Sequence, residues 1–324
     1  MATIKDVAQL ARVSPATVSR VLRGDEGLSV TDQVRNQVFE AAHQLGYVSP
    51  SRRKALLQNV LRIGVADWHI VRQDRPNVRL SSLDSVAASA APGRTVEFLR
   101  MAPQQDCPVD GIIAFGAFSE EELRFLRMQS SAIVFVDSNR RDYEYDRVIV
   151  DFEEGLRKML AYLFEEKQYP SVGYIGGTYQ HGGIHIGFRR AQGLRQLLEE
   201  QGRLAPEHFL VGQLSRESGF DLAWQLIQSG NLPRVLILGS DEVAQGALEA
   251  IRQAGLRIPQ DLAVVIYQDI ATIQDPWPGC TVLHMYPDLV WSTALRLLLD
   301  RVVQRYPLAV NVWVPPVLKP GESA

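Results

Sequence analysis

The sequence predicts two kinds of fold in one chain. An all-α helix-turn-helix head is joined by a hinge to an α/β core of two parallel, doubly wound sheets. Three observations predict this. The first 46 residues carry three short helix patterns, each with a capping residue at its start. From residue 60 onward, continuous apolar strands alternate with helices. Charge divides at the same place. Residues 1–60 hold eight Lys and Arg against five acidic residues, a balance of +3. The remaining 26 basic and 32 acidic residues make the body −6.

The head is justified helix by helix. Thr3 caps the first helix with Asp6 at its third position, and Ile4, Val7, Ala8 and Ala11 share one face. Ser14 caps the second, and Pro15 sits at its first turn, where a missing N–H costs nothing. Val18, Val21 and Leu22 point inward, while Ala16, Thr17 and Arg20 form an outward stripe. Thr31 caps a third helix whose apolar face is Val34, Val38, Ala41 and Leu45, and Gly46 ends it. Two short helices backed by a third make a domain whose second helix can enter a DNA major groove. A basic head on an acidic body suits phosphate binding by the head alone.

After Tyr47 comes a short basic stretch, Val48 to Gln58. It is either a solvated linker or a hinge helix that orders on DNA. In the second case Arg52, Arg53 and Lys54 meet phosphates and Leu56 wedges into the minor groove.

Beyond it, strands are predicted at Val60-Ala66, Val109-Gly116, Ala132-Asp137, Arg147-Asp151, Ser171-Gly176, Phe209-Gln213, Val235-Gly239 and Leu262-Tyr267. Helices are predicted near 152–166, 186–201, 216–229 and 241–254. Runs of Val, Ile and Leu without alternation mean strands covered on both faces. Between Trp68 and Asp110 only about one helix fits. A helix from Asp288 to Arg305 returns to the first sheet, and Val310-Val314 joins the second. The predicted domains are a head at 1–46, a hinge at 47–59 and a core at 60–324. The N-lobe takes about 60–149 plus 279–308, and the C-lobe about 150–278 plus 309–320.

The order of residues adds a resemblance. Thr3-Ile-Lys-Asp-Val-Ala8, then Val13-Ser-Pro-Ala-Thr-Val-Ser-Arg-Val-Leu22, closely resembles the opening of LacI/GalR-type transcription regulators. The likeness extends over essentially the whole chain, and the core resembles the two-lobed periplasmic-binding-protein fold. Ile258-Pro-Gln-Asp-Leu262 followed by Gln268-Asp-Ile270 is similar to galactoside-operon repressors of the ebg type. The resemblance implies a homodimer that recognises near-palindromic double-stranded operator DNA and answers to a small-molecule effector, a sugar. It places specificity contacts at Pro15, Ala16 and Arg20 and the wedge at Leu56; the further DNA contacts expected are Thr3, Lys5, Ser14, Thr17, Ser19, Arg23, Arg52 and Arg53. The hinge departs from the family pattern, with Ser49-Pro50 where Pro-Asn is usual and Arg53 where Ala is usual.

In open α/β sheets, ligands bind beyond the carboxyl ends of the strands. That rule selects Asp67-Trp68, Asp137, Gly176-Gly177, Ser240-Asp241 and Gln268-Asp269. Two facing lobes would line a cleft with groups that suit sugar hydroxyls, and Trp68 or Trp277 would offer a ring. By resemblance, Asp137, Ser240 and Gln268 match effector positions, with Asp241 beside them. Ile184 stands where sugar-responsive members carry Arg, so His185 next to it is a candidate substitute. Leu214 stands where the family has an aromatic residue. A non-sugar or phosphorylated effector, a corepressor or an activating role remain alternatives within the same class.

Other classes are disfavoured. Cys107 and Cys280 have no metal or redox spacing and imply free thiols in a reducing cytoplasm. His181 and His185 lack a third ligand and are separated by two glycines, so no metal is expected, nor any cofactor. No glycine run is followed by Gly-Lys-Ser/Thr. An enzyme would need a nucleophile–base pair. A transport receptor would need a signal peptide, whereas this chain opens on a helix-turn-helix. No apolar run approaches the roughly 18 residues of a membrane span.

Overall fold

The computed structural model describes residues 3–22, 30–45, 47, 60–68, 80–137, 145–181, 184–268, 277–304 and 308–324. The head holds α1 (Ile4–Leu10), α2 (Pro15–Val21) and α3 (Asp32–Gln44). Val7, Val18, Val21 and Val38 are buried together with Ala8, Ala11 and Ala41. The three predicted caps are all made. Thr3 and Ser14 accept from the third residue of their helices, and Thr31 accepts from the Val34 N–H at 3.4 Å. Gly46, Arg23 and the whole stretch 48–59 lie outside the described residues.

The core opens with β1 (Val60–Ala66), α4 (Leu80–Ala90), β2 (Thr95–Arg100), β3 (Gly111–Phe115), α5 (Glu120–Gln129), β4 (Ile133–Val136) and β5 (Asp146–Val150). It continues with α6 (Phe152–Ala161), β6 (Val172–His181), β7 (Ile184–Ile186), α7 (Phe188–Glu200), β8 (Phe209–Gln213), α8 (Arg216–Gln228), β9 (Val235–Leu238), α9 (Asp241–Gln253) and β10 (Ala263–Tyr267). It closes with β11 (Thr281–His284), α10 (Pro287–Gln304), β12 (Asn311–Val314) and β13 (Val317–Lys319). The first sheet runs β12-β5-β4-β3-β1-β2, and the second β13-β11-β10-β9-β6, where β6 also pairs β7 and β8. Pairing is parallel from β2 through β1 and β3 to β4, and from β8 through β6, β9 and β10 to β11. Every residue of β3, β4, β9 and β10 is buried, which is why they are apolar throughout.

Within the core, one compact unit takes residues 60–68, 80–147 and 292–311. The other takes 148–291 and 312–324. This corrects the predicted lobe limits. The first passage falls at 147/148, close to expectation. The second falls at 291/292, not 278, because β11 lies in the second sheet, parallel to β10 and antiparallel to β13. A four-residue strand carries no local mark of the sheet it joins; only its pairing decides. The chain therefore passes between units along α10. Its later part packs on the first sheet, where a Cβ on Gly111 would lie 2.8 Å from Leu298 Cδ1. The third passage falls at 311/312. Residues 311–314 edge the first sheet beside β5, and Val317–Lys319 takes the place in the second sheet predicted for them.

Two smaller corrections concern local structure, and one close contact is added. Between Trp68 and Asp110 the chain forms a strand, β2, as well as a helix. The helix predicted to 166 is α-helical only to Ala161. It then widens by one π-turn, in which the Lys167 N–H reaches back to the Tyr162 carbonyl at 2.9 Å. In the second unit, α8 and α9 touch backbone to backbone. A Cβ on Gly246 would lie 1.8 Å from the Arg216 carbonyl oxygen.

Candidate DNA-reading head and ligand-facing strand ends

Local chemistry sets the two reading helices. The Thr3 N–H and hydroxyl donate to Asp6 Oδ2 at 2.7 and 2.8 Å, and the Asp6 N–H returns to Thr3 Oγ1 at 3.4 Å. These donors hold the Asp6 carboxyl below its ordinary range. α1 ends in a two-bond C-terminal cap. The Arg12 N–H meets the Gln9 carbonyl, and the Val13 N–H meets the Ala8 carbonyl at 3.0 Å. Arg12 supplies the left-handed residue of this cap at φ 54. Its isolated position gave no sequence signal, because glycine or asparagine is the usual mark of such a turn.

An arginine in this conformation costs roughly 1–2 kcal/mol of local sterics, and glycine's lost entropy offsets about half of that. Arg12→Gly should therefore slow amide exchange in α1 and α2 roughly two- to five-fold. Unchanged or faster exchange would show that the arginine side chain itself stabilises the turn.

Ser14 then starts α2. Its hydroxyl accepts from the Thr17 N–H at 3.0 Å and pairs with Thr17 Oγ1 at 2.8 Å. Thr3, Lys5, Ser14, Pro15, Ala16 and Arg20 are exposed, Thr17 and Ser19 half-buried. Ala16 and Arg20 of the predicted stripe are thus on the surface of a helix whose Val18 and Val21 are fully packed, and Thr17 is half-buried. Arg23, Arg52, Arg53 and Leu56 lie outside the described residues.

The strand ends of the first unit present Asp67, Trp68 and Asp137. Asp67 is buried and ion-paired with the Arg100 guanidinium. The Trp68 indole N–H donates to the Met101 carbonyl at 2.7 Å, and its ring meets Phe118 edge-on at 5.5 Å. Trp68 is thereby committed to a wall of aromatic residues that includes Phe135 and Tyr145. Asp137 is half-buried and left-handed at φ 53, a turn that lets its backbone leave β4 sharply.

In the second unit the expected end at Gly176-Gly177 is corrected. β6 runs on to His181 and folds back on β7, with Tyr179 opposite Ile186. Both glycines are buried inside the strand, and a Cβ on Gly177 would lie 2.5 Å from the Leu214 Cα. The Gln213–Leu214 backbone needs that room, and at Gly176 the Tyr174 ring does, its hydroxyl lying 2.2 Å from where a Cβ would be. His185 is exposed on β7, edge-on to Phe188 at 5.3 Å. Ser240 and Asp241 are fully buried. The Ser240 hydroxyl caps α9 by accepting from the Val243 N–H at 3.2 Å. Asp241 Oδ1 accepts the Trp277 indole N–H at 2.7 Å, so the two residues support each other. Gln268 is buried at the end of β10, where its N–H continues the ladder to the Leu283 carbonyl at 3.2 Å. Asp269 lies outside the described residues.

Two residues here escaped the sequence reading. Arg190 donates to the Gly239 carbonyl and lies over the Tyr267 ring, 4.0 Å from its centroid. It sets a guanidinium at the ends of β9 and β10, six residues after Ile184. His284 ends β11 and bonds through Nδ1 to Gln268 Oε1. Among the described residues, no three His, Cys, Asp or Glu side chains group as metal ligands. The ends of β9–β11 offer amide, guanidinium and ring groups, which is the chemistry of holding a polyol.

Comparison with known proteins agrees with this division of the chain. Residues 3–50 match the model of bacterial regulatory proteins of the lacI family, and residues 161–324 that of a periplasmic binding protein-like domain. The transcriptional repressor MelR of Bacillus subtilis (strain 168) is 30% identical over 98% of this chain and 96% of its own length. The regulator GanR of the same organism is 31% identical over 93% of each. Among solved structures, the Lac repressor dimer bound to operator and the anti-inducer ONPF has TM-score 0.64 at 22% identity, covering 99% of this chain and 98% of that one. The regulator CelR in complex with cellobiose has TM-score 0.62 at 21% identity, covering the whole of both chains.

Proposed function

Because this chain belongs to the lacI family of bacterial regulatory proteins, we propose that it is a sequence-specific repressor of a sugar-utilisation operon, released or retained on DNA by a galactoside-like sugar. The observation that carries this reading is the exposed Pro15-Ala16-Arg20 stripe on a helix anchored at Ser14. In this reading the stripe meets base edges. Thr3, Lys5, Ser14, Thr17, Ser19 and Arg23 approach the flanking backbone, and Arg52, Arg53 and Leu56 act from a hinge at 47–59. The protein acts by binding rather than by catalysis. It works in the cytoplasm, where DNA and a free sugar meet. Among the described residues, no helix is long and apolar enough to cross a membrane.

Within the second unit the effector is held by Gln268, Arg190 and exposed His185. Ser240 and Asp241 serve it indirectly, through the cap and through Trp277. The cellobiose bound by the related fold supports a sugar.

Selection from random duplex DNA should enrich a near-palindrome. Gel-shift release is then scored with methyl β-galactoside, melibiose, cellobiose and phosphorylated sugars. Failure to enrich any sequence would overturn the reading. A two-fold site calls for two heads, so sedimentation should give a homodimer at micromolar protein. A stable monomer or tetramer would contradict it.

A further inference from the structure

Gln268 is 1% exposed, and its amide Nε2 has no hydrogen-bond partner among the described residues. A buried amide N–H left unmade is costly, so native proteins rarely keep one without a use. The other end of the same amide is held. Oε1 bonds to His284 Nδ1, and the His284 ring is itself fixed edge-on to Tyr286, with centroids 4.5 Å apart. Tyr286 is in turn covered by Lys319, whose Nζ is 5.0 Å from the ring centroid. In this orientation of the amide an oxygen, which only accepts, faces Nδ1, and that pairing needs the Nδ1-protonated tautomer of His284.

We propose that His284 is a positioning residue that sets the polarity of Gln268, so that Nε2 is presented as a donor to an oxygen acceptor of the sugar effector. This rests on the proposed sugar-responsive function. The argument is one of two-fold choice. A glutamine amide can offer either its N–H₂ or its oxygen to a site, and the two orientations have nearly the same shape. A protonated Nδ1 opposite Oε1 allows only the first. Were Nδ1 bare, the amide would turn and present an oxygen, and the site would select a donor instead. One proton on His284 thus decides which face of the effector is recognised, without His284 touching it.

Two measurements test this on the full-length protein. Long-range ¹H–¹⁵N correlation of His284 in the sugar-free protein should show Nδ1 protonated; a bare Nδ1 overturns the inference whatever the effector is. Calorimetry with methyl β-galactoside, melibiose, cellobiose and galactose 6-phosphate then compares wild type with two variants. His284→Asn keeps a donor near the Nδ1 position and should bind within about three-fold of wild type. His284→Asp presents only acceptors, forces the amide to turn, and should weaken binding at least ten-fold, about 1.4 kcal/mol. Operator affinity without sugar should stay unchanged in both, which confirms folding. Equal sugar affinity in the Asn and Asp variants overturns the inference alone. No heat from wild type with any of the four overturns the sugar reading, and with it the acceptor assigned to Gln268.

Discussion

Replacing Asp146 by alanine is expected to lower the unfolding free energy by about 3–5 kcal/mol, the usual cost of removing one partner of a buried ion pair. Asp146 is fully buried at the start of β5. Its carboxylate receives Arg301 Nε at 2.7 Å, Arg301 Nη2 at 2.5 Å and the Val310 N–H at 2.7 Å. The same Nη2 also donates to the Leu308 carbonyl at 2.8 Å. Arg301 is mostly buried, so the variant would strand a guanidinium with little water to replace its partner. Three segments meet in this clamp: β5, the end of α10 and the entry to β12. They lie next to places where the chain passes from one unit to the other, at 147/148 and 311/312. Urea unfolding of the full chain measures the effect. A loss below about 1 kcal/mol would mean that water relieves the stranded charge. The pair Asp146→Leu with Arg301→Met should recover much of the loss, because an apolar substitute removes both charges together.

The clamp also shows what could not be read from the sequence. Asp146 precedes a predicted strand, Arg301 lies 155 residues later, and neither carries a local signal. Features with a local physical cause were legible. The caps at Thr3, Ser14 and Thr31 were, because a hydroxyl at a helix start satisfies a free N–H nearby in sequence. So were the central strands, because burial on both faces forces continuous apolar runs. β2 was missed for the opposite reason. It is a half-exposed edge strand, and the alternation of Thr95-Val-Glu-Phe98 is too brief, broken by Leu99, to stand out beside the continuous apolar runs of the central strands. β11 and β13 are so short that only pairing identifies them.

The candidate site divides in the same way. The strand-end rule set Ser240, Asp241 and Gln268 just beyond β9 and β10, where they lie, because those strands were recognised. It missed His284, because β11 was not. It misplaced Gly176-Gly177, because glycines that make room for a neighbouring ring or backbone look like glycines that make turns. Arg190 was hidden in the first turn of α7, where a charged residue is ordinarily a solvated one. Its ring partner, Tyr267, lies 77 residues away.

Arg20→Ala should abolish preference at one base pair of each half-site while leaving non-specific DNA binding nearly intact. The side chain is exposed on the outward face of α2, one turn beyond Ala16, and Val18 and Val21 pin the helix from behind. A guanidinium at that position can donate two bonds to a guanine edge in the major groove, worth about 1–3 kcal/mol of discrimination. Each half-site should therefore lose roughly 5- to 150-fold in affinity, concentrated at one base pair, and the two heads of the dimer lose it together. Phosphate contacts from the remaining basic residues carry no sequence information, so the salt dependence of binding should change by at most one counterion per head. Alanine at an exposed helical position favours the helix, which leaves the fold of the head unchanged. A gel-shift titration against the selected operator and against each single-base variant separates the outcomes. Uniform weakening across all sequences would make Arg20 a phosphate contact. Undiminished preference at every base pair would move the reading surface to another face of the head.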